Sequence, residues 1–187
     1  MKSIRIFTTA IVAFTLLLAT TENSYGQIVP YKASGTNAGY SPGTGDYDGQ
    51  GTGTNVGKHD NAGNVVLSDL VEVLDDGCLV FNFFIAEHRV TAANGDGFSL
   101  SAEGQVALCP IDPDDESTRY FAVWGGDFHV TENSGTGRFK NVGPANDPLT
   151  LLAVNDPFDF PVIDPEAIWT FSWEFNGKID LGRRRGR

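Results

Sequence analysis

The clearest pattern in the chain is a strict alternation of apolar and polar positions near its C-terminal end. From residue 169 onward every second residue is a large aromatic one, namely Trp169, Phe171, Trp173 and Phe175. Alternation with a period of two predicts a β-strand with one buried face and one solvated face. Because the buried face is entirely aromatic, we expect this strand to close over an aromatic interior.

A second pattern, in the middle of the chain, predicts a long β-hairpin. Residues 78–91 and 98–109 are two apolar runs, and they flank a turn sequence that contains Asn94-Gly95. Asn-Gly between apolar runs is a strong hairpin signal. We expect the inward faces of the two strands to carry Leu79, Phe81, Phe83 and Ile85 on the first strand and Phe98, Leu100, Ala102, Val106 and Leu108 on the second.

Further strand patterns cover most of the chain, whereas no helical period of useful length follows the N-terminal segment. Residues 65–74 and 119–130 read as strands, and shorter strand pieces are expected at Phe139, at 149–154 and at 158–163. The Gly-rich stretch 27–58 suits glycine-kinked strands better than a flexible linker, because tyrosines and threonines are interleaved with its glycines. About eight strands separated by regular turns predict an all-β fold, an antiparallel eight-stranded closed barrel, with a sandwich as the alternative.

The two cysteines of the chain are expected to lie nearly opposite each other on the predicted hairpin. Cys78 precedes the inward Leu79, and Cys109 follows the inward Leu108, so both point outward. Two cysteines on one face and in near-opposite register have the geometry that a cross-strand disulfide needs. We therefore predict a Cys78–Cys109 disulfide, the alternative being two free thiols.

The N-terminus predicts the compartment and the domain boundaries. Lys2 and Arg5 precede an apolar run over residues 7–19, and the small residues Ser24 and Gly26 then precede Gln27. This order is typical of a secretory signal peptide, and the run is too short to span a bilayer. We expect a signal peptide over residues 1–26, one barrel domain over 27–181 and a basic disordered tail over 182–187. The protein is then secreted or periplasmic, with no membrane span and with disulfide formation permitted.

The charge balance argues against one class of partner. The chain carries 24 acidic and 13 basic residues, a formal net charge of −11, and four of the basic residues belong to the arginine-rich tail. A strongly acidic body repels phosphate backbones, so nucleic-acid binding is not expected. The tail is expected to be a disordered terminus, or alternatively a docking segment for anionic surfaces.

Three short motifs carry a resemblance to a known family. The turn Ser134-Gly135-Thr136-Gly137-Arg138-Phe139 resembles the GGTGxF turn of the allene oxide cyclase and dirigent-like (calycin-like) barrels, with Ser134 in the place of the first glycine. Residues 51–58 are similar to the Gly/Thr strand near the start of secreted bacterial members, and residues 94–104 resemble their central hairpin. The resemblance implies an eight-stranded barrel with a cavity, often assembled as a trimer. It does not supply catalytic residues, so the catalytic residues are unknown.

Candidate catalytic and metal-binding residues are few. His59, His88 and His129 have no short metal-ligand spacing, and the acidic segment 112–116 lacks the ordered spacing of a calcium loop, so neither a metal nor a cofactor is expected. There is no Gly-x-Ser-x-Gly elbow. By strict alternation Glu87 and Arg89 fall on the inward face of their strand. At the barrel mouth they would orient a polar ligand group or act in acid–base chemistry, although we prefer the interpretation that the strand has emerged into solvent there.

The aromatic faces have two interpretations. A set of inward aromatic residues on two predicted strands either lines a ligand cavity or fills the barrel as a packed core, the outcome we favour: Tyr120, Trp124, Phe128, Trp169, Phe171, Trp173 and Phe175. The outward face of the strand 78–88 is also apolar, with Cys78, Val80, Phe84 and Ala86. An apolar outer strand face is typical of a contact with another subunit or with a covering segment, and the first of these predicts a homo-oligomer.

Three functions are compatible with these patterns. We favour a secreted small barrel that binds an apolar small molecule or a partner protein and is not an enzyme. An isomerase or cyclase-like barrel is the first alternative, and a buried ionisable pair within a cavity would favour it. A structural or interaction module of the cell exterior is the second, and a dry, filled barrel would favour that one.

Overall fold

The chain forms a closed β-barrel in a computed structural model that describes residues 26–40, 45–115, 119–160 and 168–182. Within these residues there are nine strands. They are β1 (Ile28–Tyr40), β2 (Asp46–Gly53), β3 (Gly57–Asn64), β4 (Val66–Val73), β5 (Leu79–Ala92), β6 (Gly97–Pro110), β7 (Tyr120–Val130), β8 (Leu149–Asn155) and β9 (Ile168–Asp180). Residues 1–25 of the predicted signal peptide, the arginines of the tail, and residues 161–163 of an expected strand lie outside the described residues.

Antiparallel pairing in the order β3-β2-β1-β9-β8-β7-β6-β5 builds the barrel, and β3 closes it by pairing with the second half of β5. The predicted all-β fold, an antiparallel eight-stranded closed barrel, is therefore confirmed, with β4 as an additional strand. β4 pairs with the first half of β5, where Val66 is opposite Phe84. Along the same edge, β5 thus pairs first with β4 and then with β3.

The expected strand piece at Phe139 is wrong. Residues Gly137–Phe139 form a short 3-10 helix, and Phe139 is buried against Phe98 at a ring distance of 5.3 Å. The preceding turn is tied to the β5–β6 hairpin, because the Thr136 amide donates to the Gly97 carbonyl at 2.8 Å. Gly137 has φ +50°, a left-handed conformation that favours glycine, and its Cα faces the Asp96 carboxylate. The Gly-rich motif therefore fastens one end of the barrel.

The interior is packed at that fastened end. The end at which β1 begins and β9 ends is filled with fully buried apolar side chains, among them Tyr31, Phe98, Leu100, Phe139 and Ile179. A smaller apolar cluster around Val106, Leu108, Ala122 and Phe158 lies on the β5–β7 side of the opposite end. Part of the interior between these clusters is open and forms the site described below.

The predicted cysteine pair is at disulfide distance. Cys78 and Cys109 have an S–S distance of 2.10 Å and a Cα–Cα distance of 4.1 Å, and they are 31 residues apart in the chain. The bridge joins the start of β5 to the end of β6, next to the cross-strand pair Leu79–Leu108. The alternation and hairpin turn thus located the pair correctly.

Candidate ligand-binding cavity

A cavity of about 380 Å³ occupies the barrel at the end where β1 ends and β9 begins. The four inward aromatics of β9 and the inner residues of β7 and β8 make one side of it. The starts of β2 and β4 and the middle of β5 make the other. Six of the seven aromatic residues singled out in the sequence lie on its wall: Trp124, Phe128, Trp169, Phe171, Trp173 and Phe175. Tyr120 does not, because it packs on Phe160 in the smaller cluster at a ring distance of 5.3 Å.

The filled core that the sequence favoured is therefore not what the structure has at this end. Glycines on the inner faces of β1 and β2 explain part of the difference. The Trp173 indole lies against them, since a Cβ atom built on Gly35 would be 2.6 Å from the ring and one on Gly51 would be 2.7 Å from it. The absence of side chains at these two positions makes room for the ring at this wall of the barrel, and the ring borders the open cavity.

Glu87 and Arg89 lie on the outer surface and are exposed to solvent, as the preferred interpretation expected, whereas the inward face that strict alternation gave them is wrong. In the β5–β6 register Ile85 is opposite Ala102 and His88 is opposite Leu100, so β5 has one residue more than β6 between these pairs. This β-bulge reverses the alternation of faces along β5. Glu87 and Arg89 form an exposed ion pair at 3.3 Å, with 54% and 65% of their side chains accessible. The pKa of the Glu87 carboxyl is lowered by hydrogen bonds from Ser99 and Arg89.

The same bulge turns His88 inward, and this is the residue that strict alternation missed. His88 is only 4% exposed and lies on the cavity wall. Its Nδ1 is 2.8 Å from the hydroxyl of the buried Tyr47, and its ring is surrounded by those of Tyr47, Phe128 and Phe175. The signal in the sequence was weak: the inward apolar residues change from odd positions up to Ile85 to even positions from Val90, but apolar Val80 and Phe84 on the outward face obscure the change.

Burial keeps both members of the Tyr47–His88 pair uncharged. Removal from water, with a smaller contribution from the nearby His59, lowers the pKa of His88 to about 3. Burial also raises the pKa of the Tyr47 phenol above its ordinary value. The pair is thus a neutral imidazole hydrogen-bonded to a neutral phenol at neutral pH.

Three tryptophans on the wall differ in how their indole N–H groups are used. Trp173 Nε1 donates to Asn37 Oδ1 at 2.8 Å, and Trp124 Nε1 donates to Asn155 Oδ1 at 2.6 Å. Trp169 Nε1 is buried and has no hydrogen-bond partner among the described residues, and the same holds for His88 Nε2. Buried polar groups in native proteins are nearly always hydrogen-bonded. Tyr31, His59 and Asn61 also have buried polar atoms without a partner among the described residues, but of these five residues only Trp169 and His88 line the cavity.

The charge of the wall is low. Among the described residues that line the cavity there is no Lys or Arg, and Asp46 is the acidic one. Within the described part of the chain, no group of three or more His, Cys, Asp or Glu side chains is arranged to hold a metal ion. Of the other two histidines, His59 is buried beside Trp173 and His129 is exposed.

Comparisons with known proteins add no assignment: no family model matches the chain, and neither the curated proteins nor the solved structures contain a match. The described residues include no helix that is long and apolar enough to cross a membrane.

Proposed function

We propose that the protein binds a small apolar molecule inside its barrel. The observation that carries this proposal is the aromatic-lined cavity of about 380 Å³. Small-molecule sites are concave, mostly apolar and have volumes of about 300–1,000 Å³, with a few polar groups that orient the ligand. The cavity is near the lower end of that range, and the Tyr47–His88 pair is such a polar group.

Filling the cavity tests the proposal. Ala153 lies on the cavity wall, so a leucine there adds atoms inside the barrel. Ala62 is an exposed residue of β3, so the same substitution there adds the same atoms outside the barrel and serves as the control. We expect ethylnaphthalene to quench the fluorescence of the wild type, because the chain's three tryptophans all line the cavity. Ala153→Leu should weaken this binding about tenfold or more, while Ala62→Leu should bind as the wild type does. Equal binding by the two variants would place the probe elsewhere.

A second candidate function is an isomerase or cyclase-like activity. The buried Tyr47–His88 pair supports it, since both groups can exchange protons or hydrogen bonds with a bound substrate. Binding is the better supported of the two, because an imidazole with a pKa of about 3 is a weak base at neutral pH. For a substrate that is turned over, Tyr47→Phe should reduce kcat while leaving substrate binding nearly unchanged.

A purely structural module, the other alternative, is less well supported because the barrel is not filled.

The allene oxide cyclase and dirigent-like assignment stays a proposal. What supports it is the eight-stranded barrel with a cavity, which is the architecture that the resemblance implies. No residue of the cavity wall is carried over from that family.

We also propose that the protein is exported, to the periplasm or the medium. The signal-like N-terminal pattern and the cysteine pair at disulfide distance support this localisation. Expression of the full chain followed by mass spectrometry of the exported form should give an N-terminus at Gln27. Recovery of the full-length chain from the cytoplasm alone would contradict the proposal.

Homo-oligomerisation, as a trimer if the family resemblance holds, is proposed through the outer surface of β4 and β5. Phe84 and Val66 are cross-strand neighbours there, and more than half of each residue is exposed. The expected face is smaller than its sequence suggested, because Cys78 and Val80 are buried. A second copy of the chain would cover the Phe84–Val66 pair.

A further inference from the structure

Two residues that line the cavity, Trp169 and His88, each have a buried nitrogen atom without a partner among the described residues, and these atoms restrict the ligand's chemistry. An indole N–H is always a donor, so Trp169 Nε1 offers one hydrogen bond that no described residue accepts. The side chains that serve the other two wall tryptophans are asparagines, and both are already engaged through their oxygen atoms. Among the described residues, Trp169 therefore lacks the partner that its two counterparts have.

The Tyr47–His88 pair offers a second donor whichever tautomer it adopts. If the phenol donates to Nδ1, the proton of the neutral imidazole is on Nε2, which has no partner. If Nδ1–H donates to the phenol oxygen instead, the Tyr47 hydroxyl hydrogen is the one left over. In both arrangements the pair has one donor to spare.

We propose that the cavity, given the proposed binding of an apolar molecule, selects a neutral ligand with a hydrogen-bond-accepting oxygen, such as a carbonyl, held by Trp169 and the Tyr47–His88 pair. An anionic ligand is disfavoured because the described residues that line the cavity include Asp46 and no Lys or Arg. A cationic ligand would gain from the aromatic rings, but the spare N–H donors would face it with their positive ends. A carbonyl oxygen satisfies buried donors that otherwise lack partners.

A set of naphthalene probes that share one ring system tests this proposal on the wild-type protein. The probes are methyl naphthyl ketone, ethylnaphthalene, naphthoate and trimethylnaphthylammonium, and the readout is the dissociation constant by calorimetry. The ketone should bind about tenfold more tightly than ethylnaphthalene, which is the effect of one well-formed hydrogen bond to a buried donor. Naphthoate and the ammonium compound should bind more weakly than the ketone.

Two variants assign the donors. Trp169→Phe keeps an aromatic ring and removes the free N–H, so the preference for the ketone over ethylnaphthalene should fall several-fold. Trp124→Phe is the matched control, because its N–H already serves Asn155; the affinities for both probes should change in parallel there. The double variant Tyr47→Phe/His88→Phe removes both partners of the pair together and should also reduce the ketone preference.

The outcomes separate this inference from the proposed function. If no probe binds, the proposed function itself is wrong. If ethylnaphthalene binds as tightly as the ketone, the barrel binds apolar molecules but the inference about the oxygen is wrong. Tightest binding by trimethylnaphthylammonium would reveal an aromatic cation site, and tightest binding by naphthoate an anion site, and either result would overturn the inference.

Discussion

Single residues set the shape of the interior where the indole of Trp173 meets the inner glycines of β1 and β2. Gly35 and Gly51 leave the space that the ring occupies, and a side chain at either position would overlap it. The Gly-rich N-terminal region is therefore a surface matched to one tryptophan. Gly39, on the same face of β1, is different, because a Cβ atom there would have no neighbour closer than 3.8 Å.

This difference gives a prediction for two alanine substitutions. Gly51→Ala should destabilise the protein by roughly 1–3 kcal/mol, the usual cost of overpacking a closely packed interior. Gly39→Ala should be near neutral or slightly stabilising, since it meets only ordinary contacts and restricts the unfolded chain. Urea unfolding of both variants measures the difference. Equal stabilities would mean that Trp173 does not lie over Gly51.

His88 predicts how stability depends on pH. Its pKa is lowered to about 3 in the folded protein, whereas an unfolded chain has the ordinary value of about 6.5. Between these values the unfolded state binds the extra proton, so the free energy of unfolding falls as the pH is lowered. From pH 7 to pH 5 this one group should cost about 2 kcal/mol.

The comparison with His88→Gln isolates that contribution. Glutamine does not titrate and can still accept a hydrogen bond from the Tyr47 hydroxyl, while His59 and the carboxylates are common to both proteins. The wild type should lose about 2 kcal/mol more than the variant between pH 7 and pH 5. Parallel stability curves over this range would contradict a buried, neutral His88.

At the scale of elements, the β5–β6 hairpin contains both the features that sequence predicts well and those that it does not. The Asn94-Gly95 turn and the strand alternation depend on local chemistry, so they predicted the hairpin and the cysteine pair. The bulge before His88 depends on pairing with β6 as well, and an assumption of strict alternation therefore misplaced Glu87 and Arg89. A prediction that allowed the inward face of β5 to switch once from odd to even residue numbers would have placed His88 inside the barrel.

The sequence did not predict the cavity, for a related reason. Alternation shows which aromatic residues point inward, but whether they fill the barrel depends on the residues beside them and across from them. The glycines on which Trp173 packs lie beside it on the neighbouring strands β1 and β2, and their register with β9 becomes known only from the folded sheet. The cavity-facing aromatics were therefore predictable as a set, whereas the empty space beside them was not.

The hairpin also gives a prediction for the cysteine pair. A bridge across a 31-residue separation should stabilise the fold by roughly 3–4 kcal/mol, chiefly by restricting the unfolded chain. The double variant Cys78→Ala/Cys109→Ala should lose about that much in urea unfolding. Non-reducing peptide mapping of exported protein should recover the linked peptides. Alkylation of both thiols without reduction would contradict the bridge.

At the scale of the whole molecule, β4 is the element that the barrel does not need for closure. It pairs with β5 on one side, and each of its residues is exposed. Beside it on the outer surface lies Phe84, which is 53% exposed. A long exposed strand next to an exposed aromatic residue is a surface that proteins usually cover.

Phe84→Asp tests the proposed contact between copies. We expect sedimentation of the wild type to show an oligomer, and the charge introduced in the contact should shift the variant to monomers. Asn176→Asp, which places the same charge on the exposed outer face of β9 and away from β4 and β5, is the matched control and should keep the oligomer. A wild type that is monomeric at high concentration would contradict the proposed interface.

The bulge in β5 gives this strand one residue more than its partner strand needs. Removal of Ala86 alone would restore an unbroken alternation, because Glu87 would take the outward place next to Ile85. Glu87 and Arg89 would then stay on the outer surface, and His88 and Val90 would still point inward. A single-codon deletion elsewhere in β5 would exchange the inside and outside of part of the strand, whereas a deletion at the bulge would leave the faces unchanged.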